Sequence, residues 1–410
     1  MDYDYSPTAL KKVTYAGTQA ASFPRGSRDL KELAELDVSS ERVRRATERI
    51  GDERVAERDA QAAAYEALPI PARRTMPADQ PAPAVACIQM DGGRLQFFDR
   101  AEPERNEDDT FWREMKVGCL WSMTSEISAE DPCPQLPASF VDPERMRKMV
   151  REIKGFSGPV SSADDDNADD DQAEDTAQEP RVDERAGRPK PLARSVVASR
   201  HEVETFGKLL ASEAHQRHFA AAPRKAFVAD GSDSNWGVWR RHFSDYEPIL
   251  DFIHALTYVY AAAMAGRALK EGWQAYREWA QWIWGGQVDH VIAALELRQQ
   301  ELGEPTKETS KTAPSAIVAK SLGYLRNQRS RMRYPEYRKQ GLPITSTYVE
   351  STVKQINRRM KGTEKFWSHG VEGMLTLVAD HLSDTPTLTS FWRNRPQRLT
   401  GSRCYHSTPA

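Results

Sequence analysis

Two short apolar runs, each ending in an aspartate, constrain this chain more than any other feature. Val85 to Met90 leads into Asp91 within VACIQMDGGRLQFF, and Lys225 to Ala229 leads into Asp230 within KAFVADG. Runs this short, bounded by turn residues, have the length of buried strands and not of helices. Both carboxylates are therefore expected at the edge of a sheet. A third acid, Glu350, lies in ITSTYVESTVKQINRRMKGTEKFW and opens a basic helical segment. Hard divalent cations need anionic oxygen ligands and leave positions open for phosphate oxygens and water. The three acids suit a cage for two Mg²⁺ or Mn²⁺ ions, and so phosphodiester chemistry.

The strands around these acids predict an α/β fold with a mixed sheet. Val85 to Met90 forms the first strand, Gly92-Gly93 supplies a tight turn, and Arg94 to Phe98 returns as a second. Lys116 to Met123 gives a third, residues 199–220 a helix, Lys225 to Ala229 a fourth strand and Ile249 to Ile253 a fifth. Residues 255–340 read as almost entirely helical, and Tyr348 to Arg359 begins a further helix. The tryptophans Trp273, Trp279, Trp282 and Trp284 fall near helical spacing and are expected in a core.

Composition shifts divide the chain. Residues 1–67 are a helical region in which Leu30, Leu33 and Leu36 recur at three-residue intervals before a break at Val38-Ser39-Ser40. A second helix then carries Arg42, Arg44, Arg45 and Arg49, which fits a helix-turn-helix with Ser39 or Ser40 as N-cap and Arg42 and Arg45 toward DNA. An ordinary helical hairpin would give the same pattern. Residues 68–84 form a proline-rich, non-helical linker. The catalytic body then spans 85–254, the helical insertion 255–340, a second catalytic part 341–400, and a tail 401–410.

The net charge of −3 conceals two opposite tracts. Ser161 to Arg185 holds eleven acidic residues against two basic ones, and 161–190 is expected as a disordered acidic insert. Ser321 to Lys361 holds ten Lys and Arg against Glu336 and Glu350, which points to a nucleic-acid backbone. Lys354, Arg358, Arg359 and Lys361 on the Glu350 helix are the expected phosphate contacts, with Val353, Ile356 and Met360 turned inward.

Other chemistries find little support. Cys87, Cys119, Cys133 and Cys404 include no CxxC pair and no zinc-finger spacing. No P-loop or dinucleotide fingerprint is present. The N-terminus MDYDYSPTALKK lacks a signal-peptide pattern, and the longest apolar run, Ile249 to Leu269, carries Asp251, His254 and Arg267. A soluble, cytoplasmic, nucleoid-associated protein is the expectation.

MDGGR, KVGCLWSM, DPCPQLP, RKAFVADG, PILDFIHALTYVYAAAMAGR, SLGYLRNQRSRMRYPEYRKQGLPITS and VESTVKQINRRMKGTEKFWS together resemble bacterial insertion-sequence transposases of the Kra type, relatives of the mutator-like DDE transposases. The resemblance covers roughly residues 10–400. It implies an RNase H-like catalytic core interrupted by an all-helical insertion between the second and third acids, and metal-dependent cutting and joining of DNA strands. The implied partners are the terminal inverted repeats of the element and target DNA, bound by a homo-oligomer. By the same resemblance Asp91 matches the first catalytic aspartate and Glu350 the catalytic glutamate. Asp230 matches the second aspartate, with Asp251 as the alternative, and Asp251 with His254 matches a D-x-x-H signature. His254 is expected to orient the site. An RNase H-like nuclease or resolvase, and a non-catalytic DNA-binding protein derived from a transposase, remain as alternatives.

Overall fold

The computed structural model describes residues 5–75, 82–97, 112–152, 188–362, 365, 367 and 370–398. Of the acidic insert expected over 161–190, residues 161–187 lie outside these, while 188–190 are described and Lys190 already opens a strand; Cys404 lies outside as well. A mixed five-stranded sheet forms the centre: β1 (Val85–Gln96), β2 (Trp112–Thr124), β3 (Lys190–Ser199), β4 (Arg224–Ala229) and β5 (Glu247–Leu250), in the spatial order β3-β2-β1-β4-β5. β1 and β3 run antiparallel to β2, whereas β4 is parallel to both β1 and β5. The α/β expectation holds.

Several predicted elements need correction. Gly92 and Gly93 make no turn: β1 passes straight through them, paired with Lys116 and Met115, as one strand to Gln96. Both glycines lack positive φ. A Cβ on Gly93 would stand 2.5 Å from Met115 Cε and 3.6 Å from Val353 Cγ1, so glycine here serves a close approach across the sheet. The fifth strand starts and ends earlier than expected because Asp251 N-caps the next helix. β3 was not anticipated, and the helix expected from 199 begins only at Val203.

The N-terminal region is α1 (Pro7–Gln19), α2 (Phe23–Ala34) and α3 (Ser40–Ala67), followed by the short α4 (Ile70–Arg74) inside the supposed non-helical linker. Pro71 is tolerated there because it sits in the first turn, where no amide bond is lost. Ser39 does N-cap α3, accepting from Arg42 N at 3.4 Å. The leucine stripe is not a common face: Leu30 is buried but Leu33 is 85% exposed and α2 stops at Ala34. These helices also pack on the remainder of the protein. Buried Arg54 of α3 pairs with Asp380 of α14 (Val371–Leu382), its Nε 2.8 Å from Oδ2.

Between α4 and α14 come α5 (Pro143–Glu152), α6 (Val203–Gln216), α7 (Asp233–His242), α8 (Phe252–Met264), α9 (Leu269–Trp284), α10 (Val288–Leu302), α11 (Pro314–Gln328), α12 (Tyr334–Lys339) and α13 (Thr347–Met360). α15 (Thr387–Arg398) ends the described chain. α13 and α6 cover opposite faces of the sheet. Gln89 and Asp91 lie on the α13 side, where the Gln89 amide donates to Thr345 O and accepts from Val349 N. Gly118, one step off the Asp91 partner Val117, faces Leu210 of α6. The outer edge of β3 is closed by the segment after α14: Val196 N donates to Ser383 Oγ, and Asp384 N to Arg194 O.

Helices α8 to α12 form one excursion from the sheet, in the stretch that reads as almost entirely helical. Its two ends meet where Phe252 N donates to Ile344 O at 3.0 Å. Trp279 and Trp284 are buried, and Trp273 and Trp282 pack partly buried against the same core.

Candidate metal centre

The strand registers set three aspartates in a row. β1 and β4 pair as far as Gln89 with Val228, so two residues further Asp91 comes level with Asp230. β4 and β5 pair through Ala229 with Leu250, and Asp251 N still donates to Ala229 O, so Asp230 comes level with Asp251. Neighbouring strands lie about 4.8 Å apart, and residues level across them point to one face. The row therefore stands just past the carboxyl ends of β4 and β5, where an open sheet leaves a crevice, and midway along β1, which runs on to Gln96. Glu350, in the first turn of α13, faces it.

The four acids are not equivalent. Asp251 is fully buried and fully engaged. Its Oδ1 accepts from His254 N at 2.9 Å, capping α8, and lies 3.5 Å from His254 Nδ1, while Oδ2 accepts from Ser346 N. Burial opposes its ionisation, yet His254 and Ser346 together hold its carboxyl below the usual range. Burial likewise opposes a charge on His254, and Asp251, Asp230 and Glu350 overcome it, raising the imidazole to about 9. Asp251 and His254 are thus a buried ion pair.

Asp91, Asp230 and Glu350 make no ion pair with a lysine or arginine of the described residues. The Asp91 carboxylate accepts from Gly92 N at 2.7 Å. Asp230 Oδ1 accepts from Ser232 N and Asn235 Nδ2, both at 2.9 Å, and Glu350 Oε1 accepts from Ser346 Oγ at 3.3 Å. Burial raises Asp91 to about 6, helped by Asp230 and Asp251. Burial and the charges of Asp251 and Asp91 raise Glu350 to about 7. Clustered carboxylates that must share protons when nothing else compensates their charge are a donor set suited to hard cations. Among the described residues, the three whose ligand atoms all lie within 4.8 Å of one another are Asp251, His254 and Glu350, and not the expected set of Asp91, Asp230 and Glu350. In that group the Asp251 oxygens already accept from His254 N and Ser346 N.

Some supporting residues carried no sequence signal. Tyr324 of α11 donates to Asp230 O at 2.7 Å and Gln328 donates to Gly231 O at 3.0 Å, so the helical excursion clamps the backbone that carries Asp230. Gly231 has φ +94 and its missing Cβ would stand 2.9 Å from the Tyr324 ring, which requires glycine. Gln89 fixes the start of α13 and hence Glu350.

The basic residues divide. Lys354 and Arg358 are exposed on α13, and Lys361 lies 5.6 Å from the Trp112 ring centroid. Arg359 is not a phosphate contact: it is buried, donates from Nε and Nη2 to Gly17 O, and lies over the Phe23 ring. Burial lowers it to about 10. On α3, Arg45 is paired with Glu41, as is Arg44, and Arg42 lies over the Tyr5 ring. No helix of the described residues is long and apolar enough to cross a membrane.

Comparison of the chain with protein-family models and with curated proteins gives no match in either case.

Proposed function

We propose that this chain is a metal-dependent polynucleotidyl transferase, a DDE-type transposase with an RNase H-like core. The observation that carries the reading is the arrangement of Asp91, Asp230 and Glu350. Asp91 lies within β1 and Asp230 just past the end of the adjacent parallel β4, with Glu350 on a helix against the same sheet face, and none of the three has a lysine or arginine ion-pair partner among the described residues. The all-helical excursion between Asp230 and Glu350 supports the same reading. Asp91, Asp230 and Glu350 would hold Mg²⁺ or Mn²⁺, which when bound supplies an activated hydroxyl nucleophile and charge stabilisation at the phosphoryl oxygens.

The remaining residues set geometry. Ser232 N and Asn235 orient Asp230, Gly92 N orients Asp91, and Ser346, itself tied to Asp251, orients Glu350. His254 neutralises Asp251, so that the surplus negative charge rests on the other three acids. Exposed Lys354 and Arg358, on the helix that carries Glu350, hold the strand by its phosphates.

The test is a gel-shift and strand-cleavage pair on DNA fragments spanning the ends of the element, with Mg²⁺ or Mn²⁺. Asp91→Asn and Glu350→Gln keep shape but remove charge, so cleavage falls to background while binding persists. Full cleavage by the Glu350→Gln protein would sink the assignment. Cleavage by the wild type without joining to a second DNA would favour the nuclease alternative.

A further inference from the structure

A polar cleft of about 510 Å³ opens directly beside Asp230, between α7 and the C-terminal end of α11. Gly231, Ser232 and Asp233 form one wall, and Asn327, Gln328 and Arg331 another, with Arg240 and Trp236 between them. This volume lies in the range that encloses a small organic ligand or one nucleotide unit. Two guanidinium groups face a single acid, Asp233, so the cleft has surplus positive charge. The Arg331 guanidinium stacks over the Trp236 ring at 4.4 Å from its centroid and donates to Gln328 Oε1 at 2.9 Å. Its position is thereby set by neutral groups, and it makes no ion pair with a described residue. Arg240 is exposed and makes no ion pair with a described residue. The Trp236 indole N–H is buried without an acceptor among the described residues.

Resting on the reading of Asp91, Asp230 and Glu350 as the cutting centre, we propose that this cleft is a subsite for the DNA strand, in which Arg240 and Arg331 hold a phosphodiester beside the scissile one. The chemistry fits. Guanidinium forks match phosphate oxygens bidentately, and a guanidinium held flat on an indole loses little freedom on binding. Gln328 ties the subsite to the cutting centre, because it both receives Arg331 and donates to Gly231 O, next to Asp230. The exposed Asn327 amide stands at the mouth, where it can meet a base edge.

The experiment uses the full chain and a fluorescein-labelled single-stranded 20-mer and its duplex, with EDTA present so that the cutting centre plays no part. Anisotropy titrations across a salt series give affinity and its salt slope. Each lost phosphate contact reduces the slope by roughly 0.7 on single strands and 0.9 on duplex. Arg240→Ala is expected to weaken binding several-fold and flatten the slope by about one contact, and Arg240→Ala with Arg331→Ala by about two. Arg331 is half-buried, so Arg331→Gln and a melting curve accompany it, and the exposed Arg240 carries the test alone if Arg331 variants unfold. Arg326→Ala, on α11 but outside the cleft, should leave the slope unchanged. Wild-type binding with an unchanged slope in Arg240→Ala, or an equal loss in Arg326→Ala, overturns the subsite and leaves the cutting centre standing. Failure of the wild type to bind either DNA overturns both.

Discussion

Asp230 and Asp251 stand side by side at the ends of neighbouring strands and yet differ in what engages their oxygens. Asp251 spends its oxygens on the α8 cap, His254 and Ser346, whereas Asp230 accepts two hydrogen bonds on Oδ1. Asp251→Ala would leave a buried imidazolium unpaired and two amides unsatisfied, a loss of about 3–5 kcal/mol. Asp230→Asn still accepts from Ser232 N and Asn235, so its stability should stay within about 1 kcal/mol of wild type. That variant should instead lose the stabilisation by Mn²⁺, which for a wild-type site at a hundredfold excess over Kd is about 2.7 kcal/mol. Urea unfolding with and without Mn²⁺ separates the two. An Asp251→Ala protein of normal stability, or an Asp230→Asn protein with the full Mn²⁺ response, would refute the division. Little of this was legible in the sequence, where both residues follow an apolar run. The difference arises from Ser346, which is 95 positions away and reaches Asp251 only after the helical excursion returns to the sheet.

At the scale of elements, runs and caps could be read but edges and crossings could not. The apolar runs of β1, β4 and β5 were evident because strands buried on both faces are continuously apolar. β3 escaped notice because its first residues, Lys190 to Arg194, include Pro191 and two cations and are at least partly exposed, and only Ser195 to Ser199 is buried. Arg359 was misread because three cations in a short run suggest solvent, while the helical period turns one of them toward Gly17. The crossing of α3 on α14 depends on Gly51 and Gly373, and nothing in their local sequence marks them as a contact. A Cβ on Gly51 would stand 2.8 Å from the Gly373 backbone, and neither helix can yield without separating. Gly51→Ala should therefore cost about 1–3 kcal/mol. Gly323→Ala on α11, where a new Cβ meets nothing within 4 Å, should gain up to about 1 kcal/mol. Thermal melts of the two variants decide this; a neutral Gly51→Ala would mean that the helices do not cross there.

For the molecule as a whole, acid stability tests the packing of buried histidines. Burial holds His242 at about 4, reinforced by Arg241 and by Lys208 and Arg73 and opposed by Glu66; burial and Lys11 hold His381 at about 4 as well. The His242 ring abuts Gly207, and its Nε2 finds no partner among the described residues. In the unfolded chain both imidazoles return to about 6.5, so between pH 6.5 and 4 the unfolded state binds more protons and acidification destabilises the fold. Asp91, Glu350 and Asp380, raised by burial to about 6, 7 and 6, act in the opposite sense, because the native state without metal keeps protons that the unfolded chain releases. The net slope is therefore a poor probe, but its change on substitution is a good one. His242→Gln cannot take up a proton, and the carboxyl contributions cancel between the two proteins. Urea unfolding at pH 7.5 and pH 5 should show the wild type losing about 1–2 kcal/mol more than His242→Gln, after allowance for solvent screening. Parallel pH profiles would mean that the native ring is protonated as readily as an exposed one, and the packing of α7 against α6 would need to be redrawn.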